Sequence, residues 1–116
     1  IREPLIILEG TSIDEATRLM REKKSDCMLI KRGSRYGIVT GTDLLDAIVV
    51  NRISLEGDIA DVASYRLITI DPEDYMFNAL IIMTQQHIER VVVMKGDQLE
   101  GIVELTDVLS SPVIRM

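Results

Sequence analysis

The sequence contains one seven-residue motif twice. Residues 37–43 read GIVTGTD and residues 101–107 read GIVELTD, so five of the seven positions are identical. In a chain of 116 residues two such copies account for most of the molecule. A repeat at this spacing indicates two copies of one supersecondary unit, each too small to bury a large core alone.

The similarity between the two copies extends beyond the motif. Each copy has a short apolar strand, an amphipathic helix, a second apolar strand, a polar turn with glycine, the motif strand and a second helix. The matched segments are 5–8 with 67–70, 13–20 with 76–83, 27–30 with 91–94, and 43–48 with 107–109.

The alignment of the two copies changes by one position between the first helix and the second strand. Through the first helix the copies align as Ala16 with Ala79, and from the second strand on as Cys27 with Val91, which is one position farther apart. This change predicts one extra residue at the helix end of the second copy. Residues 58–63 predict a short turn or helix ahead of that copy.

Composition and charge exclude several classes of protein. The hydrophobic fraction of 47% is typical of a globular chain, and the net charge of −6 argues against a nucleic-acid partner, which needs a basic surface. No apolar run approaches the roughly 18 residues of a membrane span. Cys27 is the one cysteine, which suits a reducing compartment. We therefore expect a cytoplasmic protein without a nucleic-acid or membrane partner.

The first motif has the chemistry of a nucleotide contact. Thr40, Thr42 and Asp43 lie where a buried strand turns into a helix, and free backbone N–H groups at that point favour an anion. A carboxylate there can accept hydrogen bonds from the two hydroxyls of a ribose. The spacing Thr-x-x-Asp is also close to a capping box, in which the same side chains satisfy the start of the helix. The two roles can coexist.

The two motifs in register, with matching helices and strands around them, resemble a tandem pair of CBS domains, the regulatory module also found in cystathionine β-synthase. The chain is similar to pairs in bacterial and archaeal signal-transduction proteins. The resemblance implies an α/β (α+β) fold of two β-α-β-β-α units, related by a pseudo-two-fold axis and packed through their sheets. We expect the first repeat at 1–50, a linker or lead-in at 51–63 and the second repeat at 64–116.

The resemblance also implies where a ligand would bind. An adenosine-type nucleotide (AMP, ADP, ATP or S-adenosylmethionine) is expected in a cleft between the repeats, with the motif of one repeat facing the first strand and helix-to-strand corner of the other. The residues expected at the first site are Thr40, Thr42, Asp43, Leu67, Ile68, Ile88, Glu89 and Arg90. The residues expected at the second site are Leu5, Asp26, Glu104, Thr106 and Asp107.

Charge distinguishes the two expected sites. At the first, Arg90 is a planar phosphate donor, whereas Glu89 would repel a long polyphosphate. At the second, three acids (Asp26, Glu104 and Asp107) would face one cleft, which costs energy unless a proton or cation intervenes. We expect that site to be degenerate: empty, or open to an uncharged or cationic nucleoside or to a metal ion. No metal site is assigned.

The sequence favours a regulatory module over an enzyme. No general base or nucleophile accompanies the candidate ribose and phosphate contacts, so no catalytic residue and no cofactor are assigned. The first interpretation is a sensor in which nucleotide binding controls an attached domain of a longer polypeptide. The alternative is a structural dimerisation module with non-binding clefts. In either case the resemblance implies a homodimer formed through the CBS helices.

Overall fold

The computed structural model describes residues 3–109, without the side chains of residues 74–77. The described chain forms two compact units. The first is Pro4–Leu67, and the second is the chain from Ile68 onward together with Glu3. The first unit contains β1 (Ile6–Leu8), α1 (Ile13–Glu22), β2 (Cys27–Arg32), β3 (Arg35–Thr40), α2 (Gly41–Leu45), a π-helix (Asp46–Val50) and a 3₁₀ turn (Ile59–Asp61). The second contains β4 (Thr69–Ile70), a 3₁₀ turn (Pro72–Asp74), α3 (Tyr75–Gln86), β5 (Arg90–Lys95), β6 (Gln98–Glu104) and α4 (Leu105–Leu109). The predicted mixed α and β fold is confirmed.

Each unit has a three-stranded sheet of the same topology. The strand orders are β1-β2-β3 and β4-β5-β6, with the first pair parallel and the second pair an antiparallel hairpin. A parallel pair needs a crossover connection, and α1 and α3 supply it. The two hairpin turns are Gly33-Ser34 and Gly96-Asp97, where Gly33 and Gly96 have φ of 59° and 61°. Such left-handed conformations favour glycine.

The cores are aliphatic and follow the period of two along the strands. On β2, Met28 and Ile30 enter the first core, and on β5, Val91 and Val93 enter the second. The helices contribute residues at helical spacing, which is why both amphipathic segments were recognisable in the sequence. The first core also contains Ile7, Ile13, Ala16, Met20, Val39, Leu44, Ile59 and Ala60; the second also contains Ile70, Ala79, Met83, Val103 and Val108.

The segment that follows the π-helix packs on the first unit. The carbonyls of Gly57 and Leu55 each accept a 2.9 Å hydrogen bond from the first N–H groups of α1, those of Ile13 and Asp14. Farther along, Ser64 exchanges two backbone hydrogen bonds with Ile38 on β3. These bonds satisfy groups that a free helix end or a sheet edge leaves open. Much of the segment expected to join the repeats is therefore held within the first unit. The repeat boundaries stay a prediction.

The extra residue of the second copy is Glu100, so its expected position at the end of the helix was wrong. Val93 pairs with Gly101 and Met94 with Leu99, which leaves Glu100 as the additional residue of a β-bulge. Before the bulge the two units keep the alignment that matches their first helices. Lys24 and His87 are equivalent in this alignment: each follows the long helix of its unit and has a positive φ.

The hydrogen bonds confirm this corrected alignment. Leu29 N donates to the carbonyl of Leu5, and Val92 N donates in the same way to that of Ile68. Val92 is therefore the counterpart of Leu29, Arg90 corresponds to Cys27, and Glu89 corresponds to Asp26. Only the positions after the bulge follow the wider spacing that the sequence motifs show.

No helix among residues 3–109 has both the length and the apolar character that crossing a bilayer requires.

The close approach of Tyr65 to Gly37 generates a stability prediction. A Cβ built on Gly37 would lie 2.8 Å from a Tyr65 ring carbon and 2.9 Å from the Ala63 Cβ, whereas one on Gly41 meets open space. We expect Gly37→Ala to lower the free energy of unfolding by about 1–3 kcal/mol through overpacking. Urea denaturation measures the effect. Gly41→Ala is the matched control and should cost nothing; equal losses in the two variants would contradict the packing argument.

Candidate functional site

Thr40 and Asp43 form the expected capping box at the start of α2. The Asp43 Oδ2 atom accepts hydrogen bonds from the Thr40 backbone N at 2.8 Å and from the Thr40 Oγ1 at 3.0 Å. The Asp43 backbone N donates in return to the Thr40 Oγ1 at 3.3 Å. The second carboxylate oxygen, Oδ1, takes part in none of these three bonds. The capping role is therefore confirmed, and it leaves one oxygen of Asp43 for another partner.

Backbone hydrogen bonds bring the start of α2 to one edge of the first sheet. Gly41 N donates to the carbonyl of Asp26 at 3.3 Å, immediately before β2. Leu5 lies at the same edge, because its carbonyl accepts a 2.8 Å hydrogen bond from Leu29 on β2. We call residues 25–27 together with residues 40–43 the first corner. Thr42 is exposed there, and Asp43 is half-buried.

The second unit repeats this arrangement with different side chains. Leu105 N donates to the carbonyl of Glu89 at 2.8 Å, and Glu104 N donates to the Asp107 Oδ2 at 3.3 Å. We call residues 88–90 together with residues 104–107 the second corner. Ile68 lies beside it through its hydrogen bond with β5. The two corners thus have the same backbone arrangement, and they differ chemically in their side chains.

An ion pair spans the second corner. Arg90 and Glu104 are directly opposite each other on β5 and β6, and Arg90 Nε lies 3.8 Å from Glu104 Oε1. The two side chains are 23% and 19% exposed, so water screens this pair less than a surface pair. In the first corner the corresponding residues are Cys27 and Thr40, which are likewise opposite each other. A buried thiol and a threonine are replaced by two long charged side chains.

The two corners carry the same formal charge. The first contains the acids Asp26 and Asp43; the second contains three acids, Glu89, Glu104 and Asp107, and one arginine. Within each unit, therefore, side-chain volume distinguishes the corners better than net charge. The helix begins with Gly41 in open space at the first corner and with Leu105, which packs against the second core, at the other.

The predicted site residues fall in both units. The first unit contains Leu5, Asp26, Thr40, Thr42, Asp43 and Leu67, and the second contains Ile68, Ile88, Glu89, Arg90, Glu104, Thr106 and Asp107. The motif residues and the residues before the second strand come together within each unit. Sequence reasoning assigned Arg90 and Glu104 to different sites and missed their pairing. The pairing can be found by counting opposite residues of β5 and β6 outward from the Gly96 turn and allowing for one bulged residue.

Among residues 3–109, no group of three or more His, Cys, Asp or Glu side chains is arranged to hold a metal ion.

The family model of the CBS domain matches residues 1–50 and 59–113, so the chain belongs to the CBS-domain family and contains two copies of the domain. In Arabidopsis thaliana, the mitochondrial CBS domain-containing protein CBSX3 is 27% identical over 111 residues. The match covers 90% of this chain and 54% of that protein, so the chain spans about half the length of this curated relative. The cytoplasmic location stays a prediction.

Solved structures share the fold. A CBS domain protein from Pyrobaculum aerophilum, complexed with AMP, has a TM-score of 0.83 at 23% identity, and the match covers 99% of this chain and 90% of that one. A hexameric CBS-CP12 protein from bloom-forming cyanobacteria has a TM-score of 0.73 at 23% identity, covering 93% and 65%. At these identities the likeness shows the fold alone.

The capping box predicts which threonine of the motif stabilises the chain. Thr40→Ala removes the hydroxyl that accepts from the Asp43 N, and we expect a loss of about 0.5–2 kcal/mol in the free energy of unfolding. Thr42→Ala, at an exposed position of the same helix turn, should change it by less than about 0.5 kcal/mol. Urea denaturation of the two variants compares them directly. A larger loss from Thr42→Ala would show that the cap is not formed as described.

Proposed function

We propose that the chain is a regulatory, non-catalytic module that binds an adenosine-type nucleotide, with the Asp43 carboxylate on the ribose. The observation that carries the proposal is the geometry of Asp43. Its Oδ2 is held by Thr40, while its Oδ1 takes part in neither of those bonds. A carboxylate oriented in this way is pre-organised for a hydroxyl pair, because its side-chain freedom is already lost in the free protein.

The surroundings of Asp43 suit a nucleotide. A Cβ on Gly41, the first residue of α2, would meet nothing within 4 Å, and the exposed Thr42 hydroxyl can donate to a phosphate oxygen. The AMP complex of the Pyrobaculum aerophilum protein supports an adenosine nucleotide as the ligand class. We further propose that the bound nucleotide controls an attached domain.

Calorimetric titration with AMP, ADP, ATP and S-adenosylmethionine tests the proposal. We expect one of these ligands to bind the unaltered chain and Asp43→Ala to weaken it by about tenfold or more, the range for a lost hydrogen bond to a charged group. Asp43→Asn keeps an oxygen that can accept from the Thr40 N but removes the charge. Asp43→Asn should therefore lose ligand binding while lowering the free energy of unfolding less than Asp43→Ala does.

The repeat supplies a matched control for this experiment. Asp107 accepts the corresponding backbone hydrogen bond in the second unit, so Asp107→Ala removes a helix cap of the same kind. It should destabilise the chain to a similar extent and leave the affinity within about twofold. Equal loss of binding in the Asp43 and Asp107 variants would point to a stability effect and contradict the ribose contact. No heat from any of the four ligands would argue against the sensor.

A second candidate function, assembly without a ligand, is favoured by an exposed apolar surface. Leu45, Val49 and Val50, along α2 and the π-helix that continues it, are 59%, 61% and 69% exposed. Clustered exposed aliphatic side chains are typical of protein–protein contacts. The hexameric cyanobacterial relative supports self-assembly as a property to test. We propose association of two copies through this helical surface.

Light scattering after size-exclusion chromatography tests the assembly. We expect a dimer that the double variant Leu45→Lys/Val49→Lys converts to a monomer, because two buried charges would have no partners at the contact. Leu8→Lys is the matched control: Leu8 is also 61% exposed but lies on β1. It should leave the dimer intact. A monomeric unaltered chain would contradict the assembly module.

A further inference from the structure

We infer that the chain binds one nucleotide because the Arg90–Glu104 ion pair and Leu105 close the second corner. The inference rests on the proposed function of the first corner and adds the residues that decide how many ligands bind. It assigns Arg90 to the closure of its own unit in place of the phosphate contact expected from the sequence.

The ion pair places side chains where the first corner has little volume. Arg90 and Glu104 take the positions of Cys27 and Thr40 on the same two strands. Cys27 is 5% exposed and lies within the sheet, whereas the guanidinium and carboxylate of the pair extend to a 3.8 Å contact across the strand ends. A ligand entering the second corner would have to separate two opposite charges that are largely buried. That separation is costly, because each charge would then lose its partner.

The capping arrangement also differs at this corner. The backbone N and the hydroxyl of Thr40 both donate to the Asp43 Oδ2, and these two bonds orient the carboxylate. At the corresponding position Glu104 has only acceptor oxygens when ionised, and its carboxylate faces Arg90. Glu104 therefore offers Asp107 no hydroxyl of the kind that Thr40 offers Asp43. The Thr40 contribution that prepares Asp43 for a ribose has no equivalent in Glu104.

Leu105 is the third side chain that distinguishes the second corner from the first. The first residue of α2 is Gly41, around which a Cβ would meet nothing within 4 Å. The first residue of α4 is Leu105, whose partly buried side chain packs against the second core. Because the two corners have equal formal charge, the difference between them lies in side-chain volume and in the ion pair. Charge repulsion alone, the reason expected from the sequence, does not separate the corners within their own units.

Converting the second corner to the residues of the first tests the inference. The opened variant is Arg90→Cys/Glu104→Thr/Leu105→Gly, and Leu105→Gly alone is the control for the helix start. The probe in calorimetry is the tightest-binding of AMP, ADP, ATP and S-adenosylmethionine, or AMP if none binds. We expect one site in the unaltered chain, lost in Asp43→Ala and retained in Asp107→Ala. The opened variant should gain a second site that disappears when Asp107→Ala is added.

The outcomes separate this inference from the proposed function. Two sites in the unaltered chain, one of them lost in Asp107→Ala, would overturn the closure while leaving the sensor standing. A folded opened variant with no additional site would also overturn it. If the unaltered chain binds nothing, the proposed function fails. The opened variant then tests the closure by itself: a site that depends on Asp107 would support the closure, and the absence of such a site would contradict it. Circular dichroism checks that the opened variant is folded. If it is not, the inference is tested by the number of sites in the unaltered chain and by the effect of Asp107→Ala on that number.

Discussion

The hydrogen bond between the first residue of each short helix and the residue before the second strand determines the geometry of both corners. Gly41 N and Leu105 N donate to the carbonyls of Asp26 and Glu89, which ties the helix start to the sheet edge. The bond uses backbone atoms alone, so it tolerates any side chain at these positions. The two units can therefore keep one backbone arrangement while their corner side chains diverge.

That tolerance explains how a symmetric fold can hold an asymmetric site. The bulge at Glu100 absorbs the extra residue within β6, so the strand ends and the helix starts still meet. Cross-strand neighbours then set the local chemistry. Cys27 and Thr40 leave the first corner polar and small, whereas Arg90 and Glu104 span the second. Divergence of a few side chains on one scaffold is how function is commonly added to a fold.

Most of the fold was predictable from the sequence, and less of the site was. The strands and helices follow from periodicity, and the capping box at Thr40 and Asp43 follows from its spacing. The position of the inserted residue was wrong because the motif copies, which are the clearest match, both lie after the bulge. An alignment read from them misplaced Arg90 opposite Asp26, one position from its true counterpart. In a strand one residue changes the face on which a side chain lies, so this alignment missed the Arg90–Glu104 pair.

The capping role of Asp43 strengthens the argument for a ligand contact at that residue. A cap alone requires one acceptor for the Thr40 N, which an uncharged amide side chain at this position of a capping box can also supply. A cap that also accepts from the Thr40 hydroxyl concentrates two hydrogen bonds on one oxygen, Oδ2, and fixes the direction of the other. Asp43 is half-buried and follows the exposed Thr42, and its second oxygen is the oriented acceptor that we assign to the ribose. The capping energy thus contributes to binding, because the carboxylate is already ordered before a ribose arrives.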